Sequence, residues 1–80
     1  MRKFARDALL EMRWGKQRLD DVLIRYVSRG SPGDTAFIRG EDISDMGRSF
    51  VILKDETHIP YHRMREIRCN GELIWIREGR

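Results

Sequence analysis

Cysteine is almost absent from this chain. The single one among 80 residues, Cys69, rules out an internal disulfide and a zinc site built from cysteines. It lies in an apolar run and reads as a small buried hydrophobe, which fits a reducing, cytoplasmic setting. No apolar stretch approaches the roughly 20 residues of a membrane helix, and the start of the chain lacks the apolar core of a signal peptide. The expectation is a soluble, intracellular protein with no membrane partner. Two histidines, one cysteine and scattered acids show no metal-ligand spacing, so neither a metal nor a cofactor is expected. A phosphate loop, a dinucleotide fingerprint and a Gly-x-Ser-x-Gly elbow are all missing. There are no repeats, low-complexity tracts or linkers, so residues 1–80 read as one domain. That size is close to the limit at which a hydrophobic core suffices alone.

Lysine is also scarce: three residues, Lys3, Lys16 and Lys54, stand against thirteen arginines, in a chain of net charge +3 and pI near 9.5. Arginine presents a planar fork of donors that matches phosphate oxygens in pairs and stacks on bases. A GC-rich genome would produce the same bias, so arginine usage only leans toward nucleic acid. The acidic pairs Asp20-Asp21 and Asp55-Glu56 read as solvated loop charges.

Met1, Phe4, Ala5, Ala8, Leu9 and Met12 recur at spacings of three and four, which predicts a helix over 2–13, with Gly15 as its stop and Trp14 filling core. After a polar loop over 15–21, Val22–Ser28 reads as a strand. Ser31-Pro32-Gly33-Asp34 suits a type II turn into a short strand over Thr35–Arg39. Gly40–Ser44 reads as a helical turn or loop, and Arg48–Lys54 as a strand. The fold class is therefore α+β: one N-terminal helix packed on a mostly antiparallel sheet of four to five short strands, because the short connections leave no room for parallel crossovers. Whether that sheet curls toward a barrel is left open.

The final hairpin is the best specified element. Asn70-Gly71, the favoured type I′ pair, lies between Met64–Cys69 and Glu72–Arg77. The expected register sets Cys69 opposite Glu72, Ile67 opposite Ile74 and Glu66 opposite Trp75. Simple alternation then places Ile67, Cys69, Ile74 and Ile76 on a core face, and Met64, Glu66, Arg68, Leu73, Trp75 and Arg77 on the other. An unbroken strand would add His62 to the second face, although Pro60 can end or bend it.

Ahead of this hairpin, Ile59-Pro60-Tyr61-His62-Arg63 gathers a fixed backbone, an aromatic ring, an imidazole and a guanidinium, a set suited to holding a phosphate beside a base or sugar. His62 is the candidate proton carrier or phosphate donor, with a structural hydrogen bond as the competing role. His58 does not pair with it, because a strand spacing broken by Pro60 would not converge the two rings. Trp75 could stack on a base or fill core. Arg29, Arg39, Arg48, Arg63, Arg68 and Arg77 are possible phosphate contacts, or ordinary solvated charges.

Five blocks, Leu10-Glu11-Met12-Arg13-Trp14, Arg25-Tyr26-Val27-Ser28-Arg29-Gly30, Gly47-Arg48-Ser49-Phe50, Ile59-Pro60-Tyr61-His62-Arg63 and Gly71-Glu72-Leu73-Ile74-Trp75, carry a resemblance. The chain resembles a small archaeal family described as an RNA cyclic-group-end recognition domain. The fourth block with the downstream Ile74-Trp75 is fairly specific; the others support it. Trp14-Gly15 stands where the family often has Trp-Asp, and Ser28 where it often has Asp or His, which counts against catalysis if those groups did chemistry. The resemblance implies recognition of a terminal 2′,3′-cyclic phosphate or similar group, in the company of RNA-processing modules.

The leading expectation is an RNA-end-binding domain, most simply for a single-stranded 3′ end. Tyr61 or Trp75 would stack, Arg48, His62 and Arg63 would hold the phosphate, and Arg29, Arg68 and Arg77 would add contacts. A phosphoesterase with His62 as acid–base is the alternative, weakened by the lack of a second converging imidazole. A module that docks on RNA-processing proteins is the third reading.

Overall fold

The computed structural model describes residues 4–14 and 19–77. Helix α1 covers Ala5–Trp14. Its start is set by Phe4: the carbonyl accepts the Ala8 amide at 3.1 Å and the amide donates to Asp7 Oδ2 at 3.3 Å, half of a capping box. Ala5, Ala8, Leu9 and Met12 are buried, one apolar stripe at helical spacing. The helix lies against the last strand and the turn at Tyr61–Arg63. The Gly15 stop and the Trp14 side chain lie outside the described residues.

Seven strands among the described residues make two open antiparallel sheets rather than one. The strands are β1 Val22–Val27, β2 Thr35–Arg39, β3 Ile43–Met46, β4 Phe50–Leu53, β5 His58–Pro60, β6 Met64–Cys69 and β7 Glu72–Ile76. The larger sheet has the order β2-β1-β6-β7 and the smaller β3-β4-β5. The α+β reading holds. It undercounted strands because β3 is mixed in composition and β5 is three residues ending in proline. One core joins the layers: Val51, Leu53 and Ile59 of the smaller sheet pack with the helix stripe and with Val22, Ile24, Ile38, Met64 and Ile67.

Turn chemistry follows the sequence. Asn70 and Gly71 have φ of +53° and +83°, as a type I′ turn requires, and Cys69 pairs with Glu72. Gly33 takes φ +66° within a turn closed by the Asp34 amide on the Ser31 carbonyl at 2.8 Å. Cys69 is buried and free, and burial, then the charges of Asp21 and Glu72, push its thiol pKa up.

Two bulges overturn the expected face assignment. Between β6 and β7, Ile67 pairs with Trp75 and Arg68 with Leu73, so Ile74 is the extra residue. A one-residue slip exchanges the faces beyond it. Trp75 therefore turns into the core at 9 % exposure, and Ile76 turns out at 47 %. Between β1 and β6, Arg25 pairs with Glu66 and Tyr26 with Met64, which makes Arg65 the extra residue and turns Met64 inward, fully buried. The inner rung of the large sheet is thus Ile38, Ile24, Ile67 and Trp75, all buried.

Candidate functional site

Between β5 and β6 the chain makes a single 3-10 turn, Tyr61–Arg63, so His62 does not lie on a strand face as alternation suggested. Proline fixes the entry: Pro60 precedes the turn with φ −64°, and the Met64 amide closes it on the Tyr61 carbonyl. Tyr61 points inward. Its ring is buried, its hydroxyl donates to the Gly47 carbonyl at 2.8 Å, and its amide donates to the Ser49 carbonyl at 3.1 Å. A ring held in this way fills core, and the expected stacking role has no exposed face to work with.

The next two residues of the turn point the other way. His62 and Arg63 are exposed, and with Val27, Arg29 and Arg65 they line an open cleft of about 250 Å³. Arg29 reaches it from the turn after β1. That turn is closed by the Ser28 amide on the Asp34 carbonyl (2.9 Å), the Ser31 amide on the Ser28 carbonyl (3.2 Å), and a Ser28–Ser31 hydroxyl bond at 3.1 Å. Arg65 reaches the cleft because the β6 bulge re-aims it; its Nη1 donates to the His62 carbonyl at 3.3 Å. Sequence reasoning did not single out Arg65, which unbroken alternation from Ile67 would turn toward the core side. The basic run His62-Arg63-Met64-Arg65 was the available signal.

Three guanidiniums and an imidazole therefore share one cleft, and among the described residues that line it there is no carboxylate. Such a wall suits a phosphate: each guanidinium offers paired, charge-assisted donors, and the imidazole can donate or exchange a proton.

The other expected residues lie elsewhere. Arg77 donates through Nε to the Met64 carbonyl at 3.0 Å and through Nη2 to the Tyr61 carbonyl at 3.1 Å, with its carbon Cζ 5.3 Å from the centre of the Trp75 ring. Its amide donates to the Arg65 carbonyl at 2.9 Å. Arg77 thus pins the turn and the bulge from below, and Trp75 is its platform. Arg68 sits on the outer side of the large sheet, bonded to the Glu66 carboxylate and to the Gly71 carbonyl at 3.2 Å. The hydrogen bond and charge of Arg68, with Arg25, hold the Glu66 carboxyl below its ordinary pKa against the pull of burial. Arg48 is exposed in the β3–β4 connection, away from the cleft lining, and Arg39 is exposed on β2 beside Glu41 at 3.5 Å. His58 stacks on Phe50, with centroids 4.5 Å apart and planes at 10°, on the smaller sheet rather than in the cleft. Among the described residues no cluster of three or more His, Cys, Asp or Glu side chains could hold a metal ion, and no helix is long and apolar enough to cross a membrane.

Comparison with known proteins places these features in a family. Residues 1–77 match the family described as the MJ1316 RNA cyclic group end recognition domain, and the chain belongs to it. A UPF0248 protein of Archaeoglobus fulgidus is 39 % identical over 56 residues, covering 70 % of this chain and 78 % of that protein. A UPF0248 protein of Metallosphaera sedula is 32 % identical over 73 residues, covering 90 % of each. One from Pyrobaculum islandicum is 38 % identical over 58 residues, covering 68 % of this chain and 69 % of its own length. These relatives are archaeal. No solved structure matches the chain.

Proposed function

We propose that this family member binds the phosphate-bearing end of an RNA in the cleft between the end of β1 and the Tyr61–Arg63 turn. The observation that carries the reading is the cleft wall: Arg29, His62, Arg63 and Arg65, with no acid among the described lining residues. The family description, RNA cyclic group end recognition, supplies the ligand class. Arg63 and Arg29 grip phosphate oxygens from opposite sides, Arg65 completes the fork, and His62 adds a donor at the rim. Tyr61 and Arg77 act as positioning residues, fixing the turn through its backbone. Arg48, Arg68 and Trp75 take no part in the grip.

Charge alone does not select a cyclic end. A 3′-phosphate approaches two negative charges near neutral pH, whereas a 2′,3′-cyclic diester carries one. Preference for the cyclic form must come from shape, with the ring seated against Val27 where a freely rotating monoester would not fit.

The test is an NMR titration with short matched RNAs ending in 2′,3′-cyclic phosphate, 3′-phosphate or 3′-hydroxyl. Shifts centred on Arg29 and His62–Arg65, largest for the cyclic end, are expected. Equal, weak shifts for all three endings would remove end recognition and direct attention to protein partners. Phosphorus spectra of the same samples report hydrolysis. Turnover that vanishes in His62→Ala would make His62 an acid–base catalyst instead.

A further inference from the structure

The outer side of the large sheet has a pattern that the cleft does not explain. Register places Phe37, Arg25, Glu66 and Ile76 in one rung across the four strands, and Arg39, Leu23, Arg68 and Leu73 in the next. Phe37 on β2 is 58 % exposed, Leu23 on β1 is exposed diagonally across from it, and Leu73 and Ile76 are exposed on β7 at the far edge. Exposed apolar side chains spread over one sheet face in this way suit a partner. Three arginines are set into this patch, and Glu66 is the one acid in the two rungs. Glu66 accepts from both Arg25 (3.4 Å) and Arg68, which holds the guanidiniums against the sheet. Arg39 lies 3.5 Å from Glu41, and Arg68 also donates to the Gly71 carbonyl; each guanidinium carries five N–H donors, more than these partners occupy.

Alternation along β1 continues the same side from Leu23 and Arg25 to Val27, and Val27 lines the cleft. The patch and the cleft are therefore one continuous surface. From Leu23 to Val27 it runs about 13 Å, and four strands at about 4.8 Å spacing give it a similar width.

We propose that this face is a second binding surface, which takes the single-stranded RNA leading up to the end held in the cleft. The proposal rests on the end-binding reading above. The Phe37 ring stacks on a base, Leu23, Leu73 and Ile76 support base and sugar faces, and Arg25, Arg39 and Arg68 hold the backbone. Four-stranded sheets that carry exposed aromatics take about two or three bases in this way, matching the area available. The excess of arginine over acid and the unbroken path into a cationic cleft favour a polyanion over a protein.

The experiment is a length series on the full chain. The ligands are a nucleoside 2′,3′-cyclic monophosphate and RNAs of two to five nucleotides with the same end, each beside its 3′-hydroxyl counterpart, against wild type, Phe37→Ala and Arg63→Ala. Wild-type affinity should rise tenfold or more from one nucleotide to four and then level off. Phe37→Ala should lose most of that rise while keeping both its melting temperature and its affinity for the mononucleotide. Arg63→Ala should lower affinity at every length. Affinity that is flat with length, while the mononucleotide still binds with end preference, overturns the sheet surface and leaves the cleft standing. A Phe37-dependent rise with no end preference keeps the sheet surface and removes the cleft reading. Sedimentation showing a dimer that Phe37→Ala dissociates and RNA does not would assign the face to a second copy and also overturn the proposal.

Discussion

The two sides of the Tyr61–Met64 segment use similar residues for opposite purposes. On the inner side an aromatic ring and a thioether are buried, and the Arg77 guanidinium binds the Tyr61 and Met64 carbonyls. On the outer side His62 and Arg63 stand exposed beside Arg29 and Arg65. An arginine that donates to backbone carbonyls is held in place and orders what it touches. An arginine on an open rim keeps its donors for a ligand. Residue type does not separate the two; the direction of the turn does.

Substitutions that break the inner side should act on stability first. Met64→Ala removes a fully buried side chain where helix, sheet and turn meet, and should cost about 2–5 kcal/mol, read as a lower urea midpoint with an unchanged slope. Arg77→Ala leaves two carbonyls without their guanidinium donor and takes the cation from the Trp75 ring, for about 1–3 kcal/mol. Arg77→Lys should recover little of this, since a single ammonium cannot reproduce the planar fork. If either arginine variant melts with the wild type, the anchoring role is wrong.

The smaller effects sharpen the contrast. Glu66 has a depressed pKa, so the stability it contributes is complete above the ordinary glutamate value of about 4.3 and is lost as pH falls through its lower folded value. Acid titration of wild type against Glu66→Gln should show a steeper loss below about pH 4 in the wild type, and parallel curves would refute the linkage. Least of all, Arg63→Ala should shift the melting temperature by no more than about 2–4 °C, since exposed substitutions rarely exceed about 0.5 kcal/mol. Its signature should be in binding, where log affinity against log salt flattens by about 0.7. A large loss of stability there would move Arg63 to the anchoring side.

What could be read from the chain depended on whether local chemistry was decisive. The helix stripe, β1, β2 and the Asn70-Gly71 turn follow from spacing and φ requirements within a few residues. The faces of the last hairpin did not follow, because the bulges at Ile74 and Arg65 depend on how three strands fit together. Strand alternation is reliable only until a bulge shifts it by one. The shift at Ile74 moved Trp75 inward, and the separate one at Arg65 brought that residue to the cleft. His62 and Arg63 were legible as a pair, because Pro60 fixes the entry to their turn. Arg29 was legible only as a candidate, because its place beside them comes from the pairing of β1 with β6.

Strands β1 and β6 are neighbours in the sheet but distant in the chain, so no short contiguous fragment contains both walls of the cleft. Joining them requires closing the long intervening segment, whose entropic cost the sheet contacts repay only once they form. If Arg29 and Arg63 grip a ligand as proposed, that ligand recognises only a chain in which both strands are paired. By mass action it stabilises that whole state, by about 2.7 kcal/mol at a hundredfold excess over its dissociation constant. Cellular proteases cut what is transiently open. Occupancy should therefore lengthen the protein's lifetime, and if the proposed end binding holds, its abundance would follow the supply of its ligand.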